Sequence, residues 1–184
     1  MPAQRILKGM AYKIIPERPT DAQLIDALLD RTFGFDRKQR TVYLMREGLP
    51  PIHSLCFSAI EEDGGLLGSI RYWAIIVGSD PGILLGPLAV EPALQGQGIG
   101  RALVRYSLAE AAALGHGLCL VVGDPEYYRP FGFVSAAQVG IILPGPVEPA
   151  RFQAAELCPG VLARTGGLVR RADRPVASGR KRRA

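Results

Sequence analysis

Apolar positions first recur at helical spacing between Thr20 and Gly34, where Leu24, Ile25, Leu28, Leu29 and Phe33 form one face. Thr20 followed by Gln23 has capping-box spacing, and Gly34 supplies a stop. Before this helix, residues 1–18 read as a leader followed by a first strand over residues 11–15. Residues 37–46 carry a weaker amphipathic pattern, read as a second helix that ends before Gly48-Leu49-Pro50-Pro51. Three extended runs follow, over residues 55–60, Leu66–Val77 and residues 83–90. Glu61-Glu62-Asp63-Gly64-Gly65 and Gly78-Ser79-Asp80-Pro81-Gly82 separate them as turns, so the pattern predicts an antiparallel meander.

The pattern then changes. Residues 91–100 are glycine-rich, residues 99–114 make a helix rich in Ala and Leu, and Leu118–Val122 is a short, wholly apolar strand. Strand, loop, helix and strand in that order predict a crossover that sets residues 83–90 parallel to Leu118–Val122. Extended pieces over residues 134–143, residues 150–157 and Gly167–Arg171 complete the chain. The expected fold class is α/β (α+β), a mixed central sheet of six to seven strands flanked by helices. One domain is expected over 1–171, and 172–184 is read as a basic, disordered tail.

Composition narrows this picture. A length of 184 residues suits one core, and 48% hydrophobic residues argue against global disorder. The longest apolar run, residues 82–90, is about half the roughly 18 residues a membrane span needs. The N-terminal stretch has charges where a signal peptide has its apolar core, so a soluble cytoplasmic protein without membrane attachment is expected. The net charge of +5 belongs to the end of the chain: residues 170–184 carry +6 and the body −1. Such a tail is a possible nucleic-acid contact, though nucleic acid is not otherwise an expected partner. Cys56, Cys119 and Cys158 lack pairing spacing, and His53 and His116 lack ligand-like neighbours, so neither a disulfide framework nor a metal site is expected.

The segment Val90-Glu91-Pro92-Ala93-Leu94-Gln95-Gly96-Gln97-Gly98-Ile99-Gly100-Arg101 follows a strand and opens a helix. A helix N-terminus offers unpaired amides and the positive end of the macrodipole, and glycines let an anion approach the backbone. The turn therefore suits a phosphate or diphosphate. Arg101 and Arg105, four apart, could add charge. A P-loop is excluded because Gly100 is followed by Arg101-Ala102 rather than Lys-Ser/Thr. A dinucleotide fingerprint fits poorly, because Arg101 stands where its third glycine belongs; Asp124 at ribose-binding distance keeps that alternative open.

Gln95-Gly96-Gln97-Gly98-Ile99-Gly100 resembles the Gln/Arg-x-x-Gly-x-Gly/Ala signature of the GNAT superfamily of acyl-CoA-dependent N-acetyltransferases. Tyr127-Tyr128-Arg129-Pro130-Phe131-Gly132-Phe133 resembles that family's Tyr-x-x-x-Gly-Phe element. Joined with Gly86-Pro87-Leu88-Ala89-Val90 and Gly123-Asp124-Pro125-Glu126, the pattern is similar to the YhbS-like branch, closely over residues 83–133. The resemblance implies a split between two central strands that holds acetyl-CoA as co-substrate. It implies that backbone amides of Gln95, Gly96, Gln97, Gly98, Ile99, Gly100 and Arg101 bind the diphosphate. It further implies that Leu88, Ala89 and Val90 pair with the pantetheine arm, one amide facing the thioester carbonyl, and that Tyr128 is the general acid with Tyr127 as its structural partner. Leu84 stands where some members have a glutamate base, so that role does not carry over; Asp124 and Glu126 are the candidates beside Tyr128, and Glu91 reads as a turn residue.

The expected activity is transfer of an acetyl group to a primary amine of an unknown acceptor by direct attack. The rival readings are a non-catalytic acyl-CoA-binding or sensor module on the same fold and a protein binding another nucleotide. The acceptor pocket is expected from residues 20–50 and 134–160, which carry no diagnostic charge cluster. A monomer or homodimer is expected.

Overall fold

Alternating apolar positions along the meander are met by helices on one side of the sheet and by a helix and late loops on the other. The computed structural model describes residues 4–7, 10–39 and 41–172, with the backbone path alone for residues 4–7 and 10. Its strands are β1 (Gln4–Leu7), β2 (Met10–Pro16), β3 (Phe57–Glu61), β4 (Leu66–Val77), β5 (Asp80–Val90), β6 (Leu118–Val122), β7 (Val134–Ser135), β8 (Ile141–Ile142), β9 (Phe152–Glu156) and β10 (Gly167–Arg171). The helices are α1 (Ala22–Phe33), α2 (Thr41–Leu44), α3 (Ile99–Ala113) and α4 (Pro125–Tyr128). The sheet runs β1-β2-β3-β4-β5-β6-β9-β7, and β10 pairs with both β4 and β8. The pairs β5–β6 and β8–β10 are parallel, the others antiparallel.

Helix α3 covers one face through Ile99, Ala102, Leu103, Val104, Leu108 and Ala111, all buried with Ile70, Tyr72, Ile83 and Val121. Gly68 lets it come close, since a Cβ there would lie 3.1 Å from Leu103 Cδ1 and 2.9 Å from the Ala89 carbonyl oxygen. Within this layer the polar groups of Tyr72 and Ser107 are satisfied: Tyr72 Oη and Ser107 Oγ share a hydrogen bond of 2.7 Å. On the other face α1 buries Ile25, Leu28 and Leu29 against Ala89. Beyond it, Leu84, Leu120, Phe152, Ile141 and Val169 form a separate cluster under the late strands. A bidentate pair ties β4 to the end of β2, with Arg71 Nε and Nη2 donating to Glu17 at 2.8 and 2.7 Å.

Several expectations are corrected. The sheet has more than six to seven strand segments, because β1, β7 and β8 are short additions with weak patterns of their own. The extended run over residues 134–143 is broken by a 3-10 turn, Ala136–Val139. The Thr20–Gln23 capping box does not form. A 3-10 turn, Pro19–Asp21, precedes α1, and Asp21 accepts from the Arg18 amide and guanidinium. Residues 37–46 are not one helix: a 3-10 turn, Phe35–Gln39, leads to the single-turn α2. Arg37 is the reason the pattern misleads, for it is buried and bonds to Asp30 and to the Gly34 carbonyl instead of solvent. The basic tail beyond Ala172 lies outside the described residues. Among the described residues no helix is long and apolar enough to cross a membrane.

Candidate active site

The site begins where two parallel strands stop pairing. Strands β5 and β6 are in register only at Ile83–Cys119 and Leu84–Leu120. Two residues later β5 bulges: Gly86 and Pro87 together oppose Arg71, between the pairs Tyr72–Leu85 and Ile70–Leu88. Proline has no amide to donate to the ladder, and Gly86 has φ of +114°, so the dipeptide fits a bulge and no regular central position. Past it, Leu88, Ala89 and Val90 remain paired with β4, and no strand among the described residues pairs with their other side. Alternate amides and carbonyls of that edge face a gap.

The far wall is the end of β6 and the turn that follows. The Gly123 amide donates to the Arg151 carbonyl at 2.9 Å, and its own carbonyl accepts from Gln153 Nε2 at 3.1 Å. The Asp124 carboxylate then caps α4 by accepting from the Glu126 amide at 2.9 Å. This single turn delivers Tyr127 and Tyr128. Tyr128 is buried, edge-on to Tyr127 at 4.9 Å and to Phe133 at 5.5 Å between ring centroids. Burial pushes its phenol above the usual range, the neighbouring Tyr127 and Cys119 adding to the rise. Gly123 is what admits the ring, because a Cβ there would stand 2.2 Å from Tyr128 Cε2.

At one end of the gap lies the glycine turn. Gly96 and Gly98 have φ of +76° and +96°, and no atom would lie within 4 Å of a Cβ at either. Gly98 is the N-cap of α3 and no side chain caps it; the first helical bond runs from the Ala102 amide to the Gly98 carbonyl at 2.9 Å. No hydrogen bond from the amides between Gly96 and Arg101 is found among the described residues. A set of unpaired amides at a helix start is an anion cradle. The glutamines brace it: Gln95 Nε2 donates to the Val90 carbonyl at 3.2 Å, and Gln97 Nε2 to that of Ala93 at 3.3 Å. The guanidinium of Arg101 leans over the Tyr127 ring, at 6.0 Å. Tyr127 in turn lies over Gly100, where a Cβ would be 2.6 Å from its hydroxyl oxygen.

A cavity of about 870 Å³ covers this cradle, and Leu88, Val90, Asp124 and Tyr127 also line it. A second cavity, of about 210 Å³, lies toward the bulge among Tyr43, Arg46, Leu85, Gly86, Asp124, Tyr128 and Arg151. Phe33, Leu88 and Asp124 line both, so the two form one cleft along the free edge of β5.

Residues 53–135 match the acetyltransferase (GNAT) domain family. The chain is 33% identical over 155 residues to the "uncharacterized N-acetyltransferase YhbS" of Escherichia coli (strain K12), covering 83% of this chain and 92% of that protein. The chain belongs to the GNAT family of N-acetyltransferases. The crystal structure of the GNAT N-acetyltransferase YhbS from Escherichia coli in complex with CoA superposes with a TM-score of 0.75 at 30% identity, covering 97% of this chain and 99% of that one. A GNAT acetyltransferase from Brucella melitensis in complex with acetyl-CoA matches with a TM-score of 0.63 at 28% identity, over 88% of this chain and 96% of that one.

Within this GNAT domain the residues singled out by motif fall into one cleft. Leu88, Val90, the turn from Gln95 to Arg101 and Tyr128 share it, although they span some forty positions of sequence, whereas Ala89 lines neither cavity and is buried against α1. The carboxylate candidates fare differently. Asp124 lines the cleft with one oxygen committed to the α4 cap, whereas exposed Glu126 pairs with Arg129 at 2.5 Å and Glu91 with Arg31 at 2.9 Å.

Motif reading missed Arg46 and Tyr43, and it quoted Gly123 without assigning it a role. Arg46 is 9% exposed, stacked between the rings of Tyr43 and Trp73 at 4.9 and 5.0 Å, with Nη2 over Gly86. Burial lowers its pKa to about 10, so it is still a cation at neutral pH. In the sequence it is one basic residue among several at the end of a weak amphipathic stretch, with nothing to mark it.

Proposed function

We propose that this chain transfers the acetyl group of acetyl-CoA to a primary amine by direct attack, in the cleft between Leu88–Val90 and the turn at Gly123–Tyr128. The observation that carries the reading is the free edge of β5, lying between a set of helix-start amides with no hydrogen bond among the described residues and a buried tyrosine. In this reading the diphosphate of acetyl-CoA sits on the amides of residues 96–101. The pantetheine arm lies along residues 88–90 as an added strand, using amides and carbonyls that have no partner in the sheet. One of those amides faces the thioester carbonyl and stabilises the negative charge that develops on its oxygen.

The amine attacks as the free base. The C–N bond forms, the C–S bond breaks, and the departing thiolate of CoA takes a proton. Tyr128 supplies it, for burial keeps this phenol protonated at neutral pH. The new ammonium loses its proton, which restores the phenol, and the products are an N-acetyl amide and CoA thiol. No free carboxylate is required as base, in keeping with the commitment of Glu126 and Glu91 to ion pairs. The reading includes a single catalytic domain over 1–171 and a cytoplasmic location, where acetyl-CoA is available.

Calorimetric titration with acetyl-CoA, followed by thiol release over an amine library, tests it. Saturable binding is expected, and Tyr128→Phe should lower turnover by roughly 10²–10⁴-fold with acetyl-CoA binding kept. Failure to bind acetyl-CoA would remove the reading. Binding without turnover for any amine would favour a non-catalytic acyl-CoA module.

A further inference from the structure

An unpaired guanidinium inside a protein needs a reason. Arg46 takes part in none of the ion pairs found among the described residues, and its Nε and Nη1 are buried without any hydrogen-bond partner. Buried arginines are ordinarily paired, because the desolvated charge is otherwise costly. Stacking on Tyr43 and Trp73 offsets part of that cost but satisfies no N–H. The Tyr43 hydroxyl beside it is likewise buried with no hydrogen bond of good geometry, and its attraction for the guanidinium offsets only part of the desolvation. Three polar atoms are thus left without a well-formed hydrogen bond at one wall of the smaller cavity, which Tyr128 also lines.

Position tells which ligand these groups await. The anion cradle for acetyl-CoA is at the far end of the cleft, beside Gly96 and Gly98, and Arg46 does not line that part. Arg46 lies where β5 and β6 begin to part, over Gly86, on the opposite side of Leu88 from the cradle. This is the acceptor's side. Exposed Arg151 lines the same cavity, and Asp124 is the one carboxylate that does so among the described residues. A cavity of about 210 Å³ is of a size for a small molecule.

We propose that the acceptor is a small amino carboxylate and that Arg46 binds its carboxylate, with the amine directed toward Leu88 and Tyr128. The inference rests on the acetyl-transfer reading above and names its acceptor class. A guanidinium presents parallel N–H donors that match the two oxygens of a carboxylate, which an ammonium cannot do. Acetylation then joins the amine nitrogen to the acetyl carbon and releases CoA thiol, and the carboxylate is unchanged. Arg46 is a specificity-determining residue in this scheme.

The test uses the full chain with saturating acetyl-CoA and a panel of α- and ω-amino acids. Each is presented as the carboxylate, as its carboxamide and as the amine lacking the group, with thiol release as readout. The expected result is a kcat/KM for the preferred carboxylate about 10²-fold above that of its carboxamide. Arg46→Met should remove about 10²-fold of kcat/KM for that substrate, mostly through KM, and Arg46→Lys about tenfold, with an unchanged Kd for acetyl-CoA in calorimetry. The carboxylate-to-carboxamide ratio needs no variant, so it decides the matter even if a substitution prevents folding. Equal use of carboxamides or plain amines, or turnover of no carboxylate by protein that binds acetyl-CoA, overturns the acceptor assignment and leaves acetyl transfer standing. Failure to bind acetyl-CoA overturns both.

Discussion

Gly123→Ala is a single-methyl test of whether the position of the Tyr128 ring matters. The new Cβ would lie 2.2 Å from Tyr128 Cε2 and 2.8 Å from Cδ2, against an ordinary carbon–carbon contact of about 3.5–4.0 Å. The backbone cannot easily yield, since the Gly123 amide and carbonyl are held by Arg151 and Gln153. Alanine is compatible with the local φ, which is not in the left-handed region. The ring must therefore move by about 1.5 Å, the difference between the two distances. A misplacement of about 1 Å in a reacting group costs about 10²-fold in rate. Overpacking of this kind also costs about 1–3 kcal/mol of stability. We therefore expect kcat to fall by about 10²-fold or more with little change in the Kd for acetyl-CoA. Thiol release with the best amine, calorimetry with acetyl-CoA and the melting temperature measure the three quantities. In a Tyr128→Phe background the hydroxyl is already gone, so Gly123→Ala should cost little further activity. Unchanged kcat in the single variant, or fully multiplicative losses in the double, would refute a role for the hydroxyl.

Four further outcomes follow from the same geometry. Gly98→Ala places a Cβ on a residue with φ of +96°, which costs about 1–2 kcal/mol and turns the free amides, so acetyl-CoA affinity should fall about tenfold by calorimetry; an unchanged Kd would take the cradle out of the mechanism. Because burial raises the Tyr128 phenol above its ordinary value, kcat should not fall through loss of its proton below pH 10, while kcat/KM rises as the acceptor amine deprotonates; a decline centred near pH 9 that Tyr128→Phe abolishes would contradict this. The raised pKa also means that the stability due to burying the neutral phenol is fully present below pH 10 and is lost as pH rises through the folded-state value. Arg46→Met removes a buried charge without a counter-ion, so in the absence of ligand the protein should gain about 1–3 kcal/mol in thermal unfolding; a loss of stability would mean the guanidinium is already satisfied.

What local sequence decided is what short-range physics decides. The strand limits Leu66–Val77 and Leu118–Val122 follow from apolar runs closed by glycine turns, and α3 starts at Ile99 because Gly98 opens it. The anion cradle is local too, since helix-start amides and glycines without Cβ atoms occupy consecutive positions. The break at Gly86-Pro87 is local as well, because a missing amide is a property of proline alone and β5 bulges there. The partnership of Arg46 is not local. Its charge reads as solvated in sequence, and only the packing of Tyr43, Trp73 and Gly86 from separate elements strips its water away. The same holds for Arg37, hidden by its bonds to Asp30 and Gly34, and for Gly123, whose lack of a side chain matters only because the Tyr128 ring folds back over it. Desolvation depends on everything that surrounds a group, so the half of the cleft around the glycine turn was written in a motif and the half around Arg46 existed only after the chain had folded.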